Sequence, residues 1–192
     1  MNIGNIFERV AKWNSLRYDR IYNHDLAVAL LEEELQEYFD AETVVDQLDA
    51  MCDTVYVALG ILWKLNVDNH TLDYNAEESY RQTALLLETN TFDPVYFAYA
   101  VLQRCKYDND YPVTLAAQML VTLCLTQVSA MGLTNEEAFE AMIVVCDSND
   151  SKSVKKVNAS IKANAGDKGA FFMPPEPKLR LILAKVEARN GY

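Results

Sequence analysis

Glycine and proline are scarce in this chain, six and five among 192 residues, and histidine occurs only twice. With so little punctuation, and with apolar residues recurring at spacings of three and four, the sequence implies helices almost throughout and an all-α fold. Basic residues are also few: 17 Lys and Arg stand against 28 Asp and Glu, a net charge of −11 that disfavours bulk nucleic-acid binding. No CxxC pair joins Cys52, Cys105, Cys124 and Cys146, so neither a zinc site nor a disulfide framework is indicated, and four buried, reduced thiols are expected. The opening MNIGNIFERV lacks the basic and apolar regions of a signal peptide. No apolar run is read as approaching the roughly 18 residues that span a bilayer. The expectation is a soluble cytoplasmic protein with no membrane partner. A hydrophobic content of 51% is enough for one core and one domain.

The pattern predicts helices from about residue 3 to 16, 25 to 39 and 42 to 64. Asn75 and Glu78 give the cap spacing of a fourth, Asp93 and Pro94 open a fifth to about Cys105, and the apolar VTLAAQMLVTLCLTQVSAM forms a sixth, central to the core. Thr134 and Glu137 form a capping box before a seventh helix, and a looser, lysine-bearing tail follows.

What the chain does have is acid in unexpected places. In LLEEELQEYF, residues 30 to 39, the apolar stripe runs Ala27, Leu30, Leu31, Leu35, Tyr38, and Glu34 occupies one of its core slots with Glu37 on the same flank. The next helix repeats the anomaly: Asp49 interrupts Val45, Leu48, Cys52, Val55, Tyr56, and Asp46, Asp49 and Asp53 share a face. A connection of about three residues makes the two helices antiparallel neighbours. Counting outward from the turn sets Glu37 level with Asp46 and Glu34 level with Asp49, with Asp53 a turn beyond. Runs such as EEELQE also suit solvated helix faces. Carboxylates converging on a seam, however, carry a desolvation penalty and repel unless a cation neutralises them. Hard oxygen ligands without histidine point to Mg²⁺, with Mn²⁺ in substitution, and Mg²⁺ on a few carboxylates implies a phosphorylated substrate.

In the tail, Asn149, Lys152 and Lys155 recur at intervals of three, as on one helical face near its start. Lys168 lies in a glycine-flanked loop stiffened by Pro174 and Pro175. These side chains suit phosphate oxygens, and equally suit solubilising lysines.

EELQE (33 to 37), VVDQLDAMCDTVYVALG (44 to 60), DSNDSK (147 to 152) and KGAFFMPPEPKLRLIL (168 to 183) together resemble the all-α nucleoside triphosphate pyrophosphohydrolase superfamily, within it the MazG-like and phosphoribosyl-ATP pyrophosphohydrolase-like branch often encoded by bacteriophages. The resemblance implies a single helical domain with an inserted or enlarged helical pair at about 70 to 130. It also implies Mg²⁺-dependent hydrolysis of an NTP or dNTP to the monophosphate and pyrophosphate. Glu34 and Glu37 match its ExxE motif, Glu33 is the acid that often precedes it, and Asp53 matches the last acid of ExxD. Ala50 stands where that motif has its first acid, with Asp49 beside it. The expected metal ligands are therefore Glu34, Glu37, Asp49 and Asp53, with Asp46 in reserve, and Glu33 or Glu37 is the expected base. Asn149, Lys152, Lys155 and Lys168 are the expected phosphate contacts. Relatives of this kind imply a homodimer or homotetramer, in the host cytoplasm if phage-encoded. A competing expectation keeps the scaffold as a non-catalytic binding or regulatory protein, for which Ala50 is the best support. Trp13, Phe7 or a tyrosine could stack on the base, although aromatics on helices more often fill cores.

Overall fold

The computed structural model describes residues 2–68, 94–105, 110–153 and 168–191. Among these residues there are helices and no strands: α1 (Ile3–Ser15), α2 (His24–Asp40), α3 (Val44–Lys64), α4 (Pro94–Arg104), α5 (Asp110–Ala130), α6 (Asn135–Ser151) and α7 (Glu176–Asn190). The helix expected after Asn75 lies outside the described residues.

Local chemistry starts most of these helices. Asn2, Asn23 and Thr43 each accept a hydrogen bond from a backbone N–H three residues on, satisfying donors that a first turn leaves unpaired. At α6 the Thr134 hydroxyl accepts from the Glu137 N–H while the Glu137 carboxylate accepts from the Thr134 N–H, completing the expected capping box.

Helix α3 is the axis. It is buried over most of its circumference, with Leu48, Met51, Val55, Leu59 and Leu62 fully enclosed, and it packs against α1, α2, α5, α6 and α7. Burying each such side chain stabilises the fold by about 1.5–3 kcal/mol. α5 supplies the largest partner surface through Ala116, Ala117, Leu120, Cys124 and Val128. Its stretch Val113–Ala130 is, contrary to the sequence expectation, long and apolar enough to cross a membrane by length and composition, yet here it is core against α3. Of the four cysteines all are free, but Cys105 is only half-buried.

Residues 176–190, expected as part of a looser tail, form a helix. Leu179, Ile182, Leu183 and Val186 form a buried stripe on α7, which docks on α3 and α6. Arg189 bridges to Glu137 at 2.8 Å, Lys185 to Glu140 at 2.9 Å and Lys178 to Asp147 at 3.4 Å. Gly132, at φ +90°, turns the chain between α5 and α6 and presents its carbonyl to Arg189 at 2.7 Å. The Arg189 and Lys185 contacts hold the start of α6, and Lys178 on Asp147 holds the end on which the site depends.

Candidate active site

A cleft of about 690 Å³ opens between α1, α2, α3, the end of α6 and the segment leading into α7. One end is acidic. Glu33, Glu34 and Glu37 reach it from α2, Asp49 and Asp53 from α3, and Glu176 from the start of α7. Glu33 and Glu37 stand on the exposed side and Glu34, Asp49 and Asp53 deeper, whereas Glu32 is exposed and does not line it.

Asp46 does not line the cleft; its carboxylate accepts from the Thr43 hydroxyl at 2.6 Å, an interaction local to the helix start. The level count from the turn is thus corrected. Among the acids acting on Glu34, Asp53 is the strongest, and Glu37 acts on both Asp49 and Asp53. Helical side chains lean toward their own N-terminus, so those of α2 reach away from the turn while those of α3 reach back toward it. Partners therefore meet about one turn farther out on α3 than equal rise predicts. Ala50, three before Asp53, is buried and does not line the cleft, so the chain supplies no carboxylate at that position of ExxD and Asp49 stands beside it.

Burial, followed by the neighbouring carboxylates, raises the pKa of Glu34 and of Asp49 well above the usual range. Burial also raises Asp53, opposed by the Lys152 ammonium and a long 3.5 Å hydrogen bond from Asn149 Nδ2. Asp49 Oδ1 is buried with no hydrogen-bond partner. Among the described residues no three Asp, Glu, His or Cys side chains are already drawn into a closed ion cage. The carboxylates gather at one end of the cleft without closing on a single point. An orphaned buried oxygen, all-oxygen donors and pKa values raised by mutual repulsion fit a hard divalent cation, which Glu34, Glu37, Asp49 and Asp53 could hold.

The cationic residues come from the tail. Asn149 lies in the last turn of α6 and Lys152 caps it, so the DSNDSK stretch ends a helix where the sequence suggested a helix start. Lys152 Nζ donates to Asn149 Oδ1 at 2.8 Å, and Asn149 Nδ2 also donates to Val145 O at 3.1 Å. The Asn149 carbonyl accepts from the Trp13 indole at 2.8 Å and that of Lys152 from Arg17 at 3.0 Å, tying α1 to the end of α6. Arg9 holds Asp147 and Asp150 from the same helix. Ser151 Oγ accepts from the Met173 N–H at 2.9 Å and so draws the Lys168-bearing segment over the cleft, where Lys168 Nζ sits 5.0 Å from the Phe172 ring centre. Lys155 lies outside the described residues.

Of the aromatic candidates, Trp13 lines the cleft and Phe7 is core. Sequence reasoning missed Asn14, Tyr18, Tyr56, Gly60, Lys64 and Glu176, all of which line it. For three of them the signal was present: Tyr56, Gly60 and Lys64 continue the Asp49–Asp53 face of α3.

Comparison with known proteins bears on α1 to α3. No curated protein and no solved structure matches the chain. Residues 7–79 match the family described as phosphoribosyl-ATP pyrophosphohydrolase, a match that supports a nucleotide pyrophosphohydrolase and takes in every acid of the cleft except Glu176.

Proposed function

We propose that the protein is a Mg²⁺-dependent nucleoside triphosphate pyrophosphohydrolase that cleaves an NTP or dNTP between the α and β phosphates. One observation carries this reading. Asn149 and Lys152 belong to a segment outside the matched residues 7–79, and in the fold they lie against the matched acids, Asn149 on Asp53 and Lys152 on Asn149. A cleft that combines carboxylates from α2 and α3 with ammonium groups from Lys152 and Lys168 is suited to a metal-bound polyphosphate.

Bound Mg²⁺ would neutralise the triphosphate and lower the pKa of an attacking water. The chain's own groups do the rest. Glu33 and Glu37, on the exposed side, are placed to take the water's proton as its oxygen bonds to the α-phosphorus and the bond to the β-phosphate oxygen breaks. Lys152 and Lys168 are placed to stabilise charge developing on the departing pyrophosphate. Asn149 positions Lys152, holding it and Asp53 at fixed separation. Arg9 and Arg17 immobilise the helix end that carries both.

The test is release of pyrophosphate, not orthophosphate, from a panel of NTPs and dNTPs in equimolar amount with the monophosphate. Orthophosphate release would sink the reading in favour of a phosphatase, and no release from any nucleotide with Mg²⁺ or Mn²⁺ would sink it in favour of a binding protein on the same scaffold. Asp49→Asn should lower kcat/KM by about 10²-fold or more, whereas Asp46→Asn, outside the cleft, should change it by less than about twofold. Equal losses would restore Asp46 to the site.

A further inference from the structure

The cleft continues past the carboxylates. Its α3 wall runs on from Asp53 through Tyr56 and Gly60 to Lys64, about 16 Å farther at about 1.5 Å per residue. Gly60 lies about 10 Å beyond Asp53, the reach from an α-phosphate across a ribose to the edge of a base.

Two polar groups wait there. Asn14 is 5% exposed and lines the cleft. Its Nδ2 donates to Val10 O at 2.9 Å, which fixes the orientation of the amide, and its Oδ1 has no partner among the described residues. The amide is seated on Gly60: a Cβ there would stand 3.3 Å from Nδ2, so any larger residue presses on it. One turn along α3, the Lys64 ammonium lies 4.6 Å from the Tyr18 ring centre with no carboxylate partner among the described residues. Burial lowers its pKa, the sign of a cation removed from bulk water. Tyr56 and Ile61 give the slot apolar walls suited to a flat ring.

Asn14 offers an acceptor and, one helical turn farther along α3, Lys64 offers a donor, two groups on one cleft wall that together can read one pattern. We propose that this end of the cleft is a nucleobase slot selecting bases that present a ring N–H beside a carbonyl, as uracil, thymine and guanine do, over adenine and cytosine. Asn14 Oδ1 accepts from the ring N–H and Lys64 Nζ donates to the carbonyl. Adenine and cytosine place an unprotonated ring nitrogen against Oδ1 and an amino group against the ammonium, two repulsive contacts. The inference rests on the nucleotide reading of the acidic end.

The experiment compares UTP with ATP in pyrophosphate release, and UMP with AMP in calorimetric binding, for the wild-type protein, Lys64→Met and Gly60→Ala. Wild type should favour the uracil nucleotide by at least about tenfold in both measurements. Lys64→Met keeps an apolar stem over Tyr18 and should bring the ratio within about twofold, by loss on the uracil side. Gly60→Ala, whose Cβ would press Asn14 Nδ2 aside by a few tenths of an ångström, should lower the ratio in the same direction but by less. No preference for uracil in the wild-type protein, or variants that weaken both bases equally, would overturn the slot. If no triphosphate is hydrolysed, the proposed activity fails by itself, and the UMP-to-AMP binding ratio still decides the slot.

Discussion

Glu34→Gln should reduce pyrophosphate release by about 10³-fold in kcat/KM while making the metal-free protein more resistant to heat at alkaline pH. The two effects share a cause. Glu34 lies among Asp53, Glu37 and Glu33, and burial with those charges raises its pKa to about 9, as it raises Asp49 to about 8. A carboxyl whose folded pKa lies above its unfolded value binds more protons folded than unfolded. Its stabilising contribution is complete below the unfolded value, and is lost as pH rises through the folded one. Glutamine has nearly the same volume and cannot ionise, so it imitates the protonated form. The variant should melt within about 1 °C of wild type near pH 6 and roughly 2–4 °C above it near pH 9.5, the shift that about 1 kcal/mol gives in a chain of this size. Thermal denaturation with a chelator, at both pH values, reads this directly. Undiminished activity, or a variant less stable at pH 9.5, would place Glu34 outside the charged cluster.

The acids were legible in the sequence because each breaks a pattern: Glu34 and Asp49 interrupt apolar stripes that otherwise predict burial. Their pairing was not legible. Level counting from the turn treats side chains as perpendicular to the helix, and it placed Asp46 where the lean of the side chains brings Asp49 and Asp53 instead. The helix starts were legible for the opposite reason, since Thr134 with Glu137 is a purely local signal, read within four residues. α7 was missed although Leu179, Ile182, Leu183 and Val186 carry helical spacing, because prolines and lysines around it looked like a loose tail. Its docking depends on α3 and on ion pairs 31 to 52 residues away in sequence, which no local window contains. Asn14 shows the same limit: nothing around it in α1 singles it out, and its meaning comes from Gly60, which only the fold brings beneath it.

The other large effect expected is a magnesium-induced rise in melting temperature that is itself dependent on pH. Metal and protons compete for the same oxygens, so an ion binding Glu34, Asp49 and Asp53 must displace whatever protons their raised pKa values retain. Near pH 6 that displacement subtracts from the binding free energy; near pH 8.5 much of it has already happened. Mg²⁺ at about 100 times its dissociation constant stabilises a folded protein by about 2.7 kcal/mol, or roughly 5–10 °C here, and the larger rise is expected at the higher pH. Lys152 sharpens the test, because its charge lowers the pKa of all three acids. Lys152→Met removes a charge that repels the ion, but it also lets the acids keep their protons to higher pH. The pH at which magnesium becomes effective should therefore move upward in that variant, even though the site has become more negative. Asp53→Asn should abolish most of the rise at either pH. A magnesium effect independent of pH, or one that survives Asp53→Asn, would show that the ion acts elsewhere on this acidic protein and that the carboxylates of the cleft are not its ligands.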